Sequence, residues 1–169
     1  GAGVAASADP AALHRMEKLF SGSRLRIETT DDVSGTVWSA VLKNIYAIAL
    51  GMAEGLGWGA NARGWLVAAA VQEAGDILVD LGGRRETFHG TAGVGDLVAT
   101  GFSPYSKNRT LGEAWAKRGN APFDSEGKIS LAPLLEVLGT RAKKRRLLLA
   151  LKATLLQGKP VKPVFEKLL

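Results

Sequence analysis

The stretch that decides the fold is residues 36–56, "TVWSAVLKNIYAIALGMAEGL". It is apolar at nearly every position, and only Lys43, Asn44 and Glu54 carry a charge or an amide. A helix that is apolar on all sides is a buried helix. We therefore predict a central buried helix around which the rest of the chain packs.

The residues that follow continue the helical pattern to the C-terminus. Residues 61–83, "NARGWLVAAAVQEAGDILVDLGG", resemble the central helix in being apolar all round, with Asn61 as the expected cap and Gly82-Gly83 as the stop. Shorter helices are predicted over residues 93–101, 106–119, 130–139, 141–158 and 161–169. The predicted fold class is therefore mainly α, a helical bundle.

The first thirty residues have a different pattern. "GAGVAAS" (1–7) and "RLRIETT" (24–30) are typical of short strands, and between them Asp9 and Pro10 open an amphipathic helix. Two strands are too few for a stable sheet of their own. We predict a small N-terminal β-α-β unit over residues 1–34 and a helical domain over residues 35–169.

Composition narrows the classes of site. Hydrophobic residues make up 46% of the 169 residues and charged residues 22%, as in an ordinary globular protein. The chain has no cysteine, which excludes disulfides and thiolate metal sites, and its two histidines are too far apart to favour zinc. Charges or glycines interrupt each apolar run, so no membrane span is expected. The net charge of +6 permits an anionic partner.

Lys43 is the first candidate for chemistry, because it lies in the middle of the most apolar helix. A buried lysine loses solvation in its charged form and can exchange a proton near neutral pH. Asp96, inside the apolar turn "GVGDLVATG", can hold this ammonium, and Thr100 would share its helix face. The alternatives are a lysine that snorkels to the surface and an aspartate that caps a helix.

Ser106, Lys107, Asn108 and Arg109 give the clearest electrostatic signal. The first turn of a helix has free N–H groups and a partial positive charge, and it binds phosphate well. With Ser106 at the capping position, these residues predict a site for a phosphate ester. The alternative is an ordinary capped helix with solvated basic residues.

Two other features are weaker signals for a binding site. "GAGVAA" (1–6) fits a dinucleotide-binding fingerprint, but no strand precedes Gly1 and the expected acidic residue is not convincingly spaced. The basic run at 141–146 can contact nucleic acid or anionic lipid, but such a run is more often the solvated face of a helix. No nucleic-acid partner is predicted.

The order of three motifs resembles the C-terminal half of the NAD(P)-dependent glycerol-3-phosphate dehydrogenases. These motifs are "LKNIYAIALG" (42–51), "ETFHGTAGVGDLVAT" (86–100) and "SKNR" (106–109). The resemblance covers the chain to about residue 118, and the remainder more loosely. It implies the helical fold of that half, with residues 1–34 as a remnant of a nucleotide-binding domain.

The resemblance also implies an activity. The chain would be the substrate-binding part of a cytoplasmic, homodimeric oxidoreductase that interconverts dihydroxyacetone phosphate and sn-glycerol 3-phosphate with NAD or NADP. Most of the cofactor would be bound by a domain absent from this chain, which has no strand–glycine-loop–helix unit. The implied residues are Lys43 and Asp96 for catalysis; Asn44, Thr100, Ser106, Lys107, Asn108 and Arg109 for the substrate; and Lys107 and Glu126 for the cofactor.

One departure from the family concerns the phosphate. The family's usual arginine is Lys107 here, and lysine cannot form the bidentate fork that arginine makes with phosphate, so Arg109 is expected to compensate. The alternative function is a non-catalytic helical module that binds a phosphorylated metabolite or mediates oligomerisation.

Overall fold

The computed structural model describes residues 1–169, most of which are helical. The predicted mainly α fold with an N-terminal β-α-β unit is confirmed. The elements are β1 (Ala2–Ala6), α1 (Pro10–Phe20), β2 (Arg26–Thr30), α2 (Val33–Gly55), α3 (Ala60–Asp80), α4 (Arg85–His89), a π turn (Thr91–Gly95), α5 (Asp96–Gly101), α6 (Lys107–Arg118), α7 (Glu126–Leu138), a 3-10 turn (Gly139–Lys144), α8 (Arg146–Leu155) and α9 (Val161–Glu166).

The N-terminal unit is a two-stranded parallel sheet joined by α1. Ala2 pairs with Arg26, and Ala6 with Thr30. Asp9 caps α1 by accepting a hydrogen bond from the N–H of Ala11, at 2.9 Å, as its sequence position predicts. The "GAGVAA" segment forms β1 itself, so it is not a phosphate-binding loop between a strand and a helix. The domain division at residue 34 stays a prediction.

Helix α2 is the centre of the molecule, as predicted. Most of its residues from Leu42 to Ala53 are fully buried, and it packs against α3, α5, α6 and α7. By length and composition alone α2 could cross a membrane, but 67% of its most apolar window is buried inside the fold. That burial is what a core helix requires.

The crossing of α2 and α6 depends on glycines in both helices. A Cβ added to Gly51 would lie 2.0 Å from the backbone oxygen of Arg109, and one added to Gly112 would lie 2.0 Å from that of Ile48. The two backbones are therefore in direct contact, which only glycine permits. This contact sets where the first turn of α6 lies relative to the middle of α2.

Helix α3 differs from its prediction in two ways. Its cap is Gly59 rather than Asn61, which lies exposed inside the first turn. It is also buried on one face only, and Trp65 and Val79 are 40% and 55% exposed. Many of its apolar residues are alanines, whose small side chains do not require burial on every side. Its predicted end is confirmed, since Gly82 has a φ of +78°.

Candidate active site

Lys43 lies near the middle of α2, with its side chain 18% exposed. Its Nζ is 3.0 Å from Oδ2 of Asp96 and donates a hydrogen bond to Oγ1 of Thr100 at 3.3 Å. The Thr100 hydroxyl donates in turn to Oδ1 of Asp96, at 3.3 Å. The predicted contact between Lys43 and Asp96 is confirmed, and its ammonium does not extend into bulk solvent.

The π turn before α5 places Asp96. A Cβ added to Gly93 would lie 2.0 Å from the backbone oxygen of Phe88, so this turn packs directly on the end of α4. Single π turns are often found at functional sites. Asp96 is the first residue of α5 and makes no capping hydrogen bond, so its carboxylate is committed to Lys43 and Thr100 instead.

A cleft of about 540 Å³ opens beside this cluster. Its walls are α5, the first turn of α6 and the first turn of α7, and it is lined by Ala99, Thr100, Ser103, Tyr105, Ser106, Lys107, Asn108, Asp124, Ser125, Glu126 and Ile129. Ser106 caps α6 by accepting from the N–H of Arg109 at 3.3 Å, as predicted. The N–H groups of Lys107 and Asn108, which precede Arg109 in this turn, have no partners within the helix, so this wall offers donors to an anion.

The cleft therefore brings together four of the predicted substrate residues, namely Thr100, Ser106, Lys107 and Asn108, and Glu126 as well. Asn44 lies behind them and is buried. Its Nδ2 donates to Oε2 of Glu126 at 3.0 Å, and its Oδ1 accepts from Nδ2 of Asn108 at 2.9 Å. These amides are thus engaged with other side chains as well as being close to the cleft.

Arg109 lies outside the cleft. Its guanidinium contacts Glu54 at 2.6 Å and Glu113 at 3.0 Å, and its side chain is 11% exposed. The hydrogen bond from Arg109 holds the pKa of Glu54 below its usual value, and the same bond raises the pKa of Arg109. Arg109 is therefore paired with two carboxylates and does not line the cleft that Lys107 lines.

A second cleft, of about 610 Å³, is lined by Asp96. Its lining consists mainly of small residues, and Ala99 belongs to both clefts. The lining residues are Ala2, Gly3, Val4, Thr36, Ala40, Thr91, Ala92, Gly95, Asp96 and Ala99. The cluster of Lys43, Asp96 and Thr100 thus reaches both clefts, because Thr100 lines the polar cleft and Asp96 lines the cleft of small side chains.

Most of the basic side chains at 141–146 form hydrogen bonds or ion pairs with other residues of the chain. Arg145 contacts Asp76 at 2.8 Å and Asp80 at 2.6 Å. Arg141 donates to the backbone oxygens of Val137, Leu138 and Asp80, and Arg146 to that of Lys167. Three of the five basic side chains therefore join the turn between α7 and α8 to its neighbours.

Six residues that line the polar cleft were not predicted from sequence: Ala99, Ser103, Tyr105, Asp124, Ser125 and Ile129. Tyr105 is 93% exposed at the rim, and Ser125 is buried at the N-cap position of α7. The available signal was the pair Asp124-Ser125, which is typical of a helix start. It would have predicted a second helix N-terminus beside that of α6.

Comparison with known proteins gives consistent results. The family model described as the C-terminus of NAD-dependent glycerol-3-phosphate dehydrogenase matches residues 32–157. A glycerol-3-phosphate dehydrogenase [NAD(P)+] of Deinococcus radiodurans is 43% identical over 119 residues, 70% of this chain and 36% of that protein. One from Mycobacterium tuberculosis (strain H37Rv) is 44% identical over 112 residues, 66% of this chain and 33% of that protein.

Similarity in structure extends further along the chain. The solved glycerol-3-phosphate dehydrogenase of Coxiella burnetii matches with a TM-score of 0.82 and 28% identity, over 99% of this chain and 54% of that one. The chain spans about a third of the length of the curated relatives it matches and about half of this solved structure.

Proposed function

Because this chain belongs to the NAD-dependent glycerol-3-phosphate dehydrogenase family, whose C-terminal part it carries, we propose that it provides the substrate site and catalytic lysine of such an oxidoreductase. The proposed reaction interconverts dihydroxyacetone phosphate and sn-glycerol 3-phosphate. The observation that carries this proposal is the cluster of Lys43, Asp96 and Thr100 at the junction of two clefts.

Lys43 is proposed as the general acid and base. When a ketone is reduced to an alcohol, negative charge develops on its oxygen, and a protonated amine beside that oxygen stabilises the charge and supplies the proton. Such a step contributes about 10²–10⁴-fold to the rate. The contact of 3.0 Å with Asp96 and the hydrogen bond to Thr100 restrict where the Lys43 ammonium lies, which favours one orientation toward the reacting oxygen.

The first turn of α6 is proposed to bind the phosphate of the substrate. Ser106 and Lys107 line the polar cleft there, and the N–H groups of the turn add donors to the lysine charge. Lys107 acts as a point charge, so the directional hydrogen bonds come from the backbone. Binding energy from this non-reacting end positions the carbonyl carbon near Lys43.

The second cleft fits the flat ring of a nicotinamide, because small side chains along most of its wall leave room for one. NAD or NADP bound there would supply or accept the hydride. The residues of this chain proposed to contact the rest of the cofactor, beyond the nicotinamide, are Lys107 and Glu126, which line the polar cleft.

Substitution of Lys43 tests the proposal. In the full-length gene product, Lys43→Met keeps an unbranched side chain in α2 but removes the ammonium. We expect kcat to fall about 10²-fold or more, since general acid catalysis is lost, while the melting temperature changes little. The matched control is Lys159→Met, an exposed lysine far along the chain from the cleft.

Steady-state reduction of dihydroxyacetone phosphate, followed by the absorbance of the reduced cofactor, measures the effect. A Lys43→Met protein with the kcat of the wild type would exclude Lys43 as the acid. Binding of sn-glycerol 3-phosphate with no turnover by the wild type would instead favour a non-catalytic module for phosphorylated metabolites.

A further inference from the structure

A closed ring of hydrogen bonds lies behind the polar cleft and joins three helices. Asn44 of α2 donates to Glu126 of α7 at 3.0 Å, and Asn108 of α6 donates to Asn44 at 2.9 Å. The backbone N–H of Gly127 then donates to Oδ1 of Asn108, at 2.9 Å. Because Glu126 and Gly127 are consecutive, these three bonds close on themselves.

Burial fixes the orientation of both amides in this ring. Asn108 is 7% exposed and Asn44 is 9% exposed. Turning either amide over would place two donors or two acceptors against each other, and buried polar groups without partners are costly. Each amide therefore has a single favourable orientation, and Glu126 receives its hydrogen bond from a rigid donor.

The first turn of α7 also rests directly on the backbone beside Lys43. A Cβ added to Gly127 would lie 2.4 Å from the backbone oxygen of Asn44 and 2.9 Å from Oδ1 of Asn108. Only a glycine lets α7 approach α2 this closely. The start of α7, with Glu126 on it, is therefore held against the residue that follows Lys43.

From these contacts we infer that Asn44 and Asn108 are positioning residues, which hold Glu126 and the start of α7 in register with Lys43. The inference rests on the proposed function and assigns these two side chains a role other than direct contact with the phosphate. Any ligand that contacts Glu126 and the Lys43 ammonium together would depend on this register. An error in the spacing would affect the chemical step more than the binding of the substrate alone.

The inference can be tested by first breaking the hydrogen bond between Asn44 and Glu126 and then restoring it with donor and acceptor exchanged. In the full-length protein, Asn44→Asp still accepts from Asn108 but places a second carboxylate against Glu126. We expect kcat to fall roughly tenfold or more, with a smaller change in KM for dihydroxyacetone phosphate. The matched control, Asn61→Asp, makes the same change at an exposed position of α3 and should retain the activity of the wild type.

The double variant Asn44→Asp/Glu126→Gln restores the bond, because the amide now at position 126 donates to the carboxylate now at position 44. Its net charge equals that of the wild type. We expect its kcat to lie within about threefold of Glu126→Gln alone, which is non-additivity of the kind that coupled residues show. Additive losses in the double variant, or a wild-type kcat for Asn44→Asp, would overturn the inference.

Melting temperatures separate this result from misfolding. If Asn44→Asp lowers the melting temperature strongly, the kcat of Glu126→Gln is compared with that of the double variant instead. This comparison still tests the inference, because the double variant retains the bond and its kcat is measured on folded protein. An inactive wild-type protein would overturn the proposed function. Recovery of the melting temperature in the double variant would then still show the coupling of Asn44 and Glu126, and no recovery would refute it.

Discussion

At the scale of single residues, Asp32 joins the start of α2 to the start of α4. It caps α2 by accepting from the N–H of Gly35 at 2.9 Å, and it accepts from the N–H of Arg84 at 2.8 Å and from the hydroxyl of Thr87. Burial by itself would raise the pKa of Asp32, but these hydrogen bonds outweigh burial, so the pKa lies below its usual value of 3.8.

A pH-dependent loss of stability follows for Asp32. A carboxyl whose pKa is lower when folded stabilises the protein above its unfolded pKa, and this contribution is lost as the pH falls through the folded pKa. We expect Asp32→Asn to lower the free energy of unfolding by about 2 kcal/mol at pH 7, because charged acceptors are lost. Urea unfolding at a series of pH values should show this difference shrinking below about pH 4. A difference that stays constant with pH would contradict the assignment.

Single residues also show which contacts of the site could be predicted from sequence and which could not. Lys43 and Asp96 were paired correctly, because a charge in an apolar helix and an acid in an apolar turn each require a partner. Its position directly after Lys107 and Asn108 predicts that Arg109 also lies at the cleft. Its guanidinium contacts Glu54 instead, and that contact depends on how α2 crosses α6, which no local pattern contains.

At the scale of elements, the crossing of α2 and α6 gives a prediction with a matched control. In most helices Gly→Ala is stabilising by about 0.5–1 kcal/mol. We expect Gly112→Ala to be destabilising by about 2 kcal/mol or more, since its Cβ would lie 2.0 Å from the backbone oxygen of Ile48. Gly64→Ala in α3 meets no atom within 4 Å and should be stabilising.

Chemical denaturation of both variants measures the two effects, and equal effects would contradict this role of Gly112 in the crossing.

Most helix positions could be predicted from sequence, because caps such as Asp9 and Ser106, and the stop at Gly82, act locally. Gly51 and Gly112 carry no such local signal. From sequence alone a glycine inside a helix is a weakness, and only the packed structure identifies it as a contact.

At the scale of the whole molecule, the two clefts are bordered by different parts of the chain. The proposed acid Lys43, the Thr100 hydroxyl and the turn proposed to bind an anion lie on α2, α5 and α6, and α2 packs against both α5 and α6. The second cleft is bordered by β1, a strand paired only with β2. The order of the sequence motifs could identify the family, whereas the two neighbouring clefts, which share Ala99, form only when the helices pack.

The purified 169-residue chain should turn over dihydroxyacetone phosphate negligibly with NADH or NADPH. The solved relative from Coxiella burnetii has about half of its length outside the match to this chain, and the residues that line the second cleft give a cofactor few groups to bind its phosphates. The polar cleft forms within this chain, so sn-glycerol 3-phosphate should still shift the amide resonances of residues 106–108 in an isotope-labelled sample. Lys107→Ala should weaken those shifts, and the exposed Lys159→Ala should not. Rapid oxidation of NADH by the pure chain would show that the hydride site is complete without any further domain.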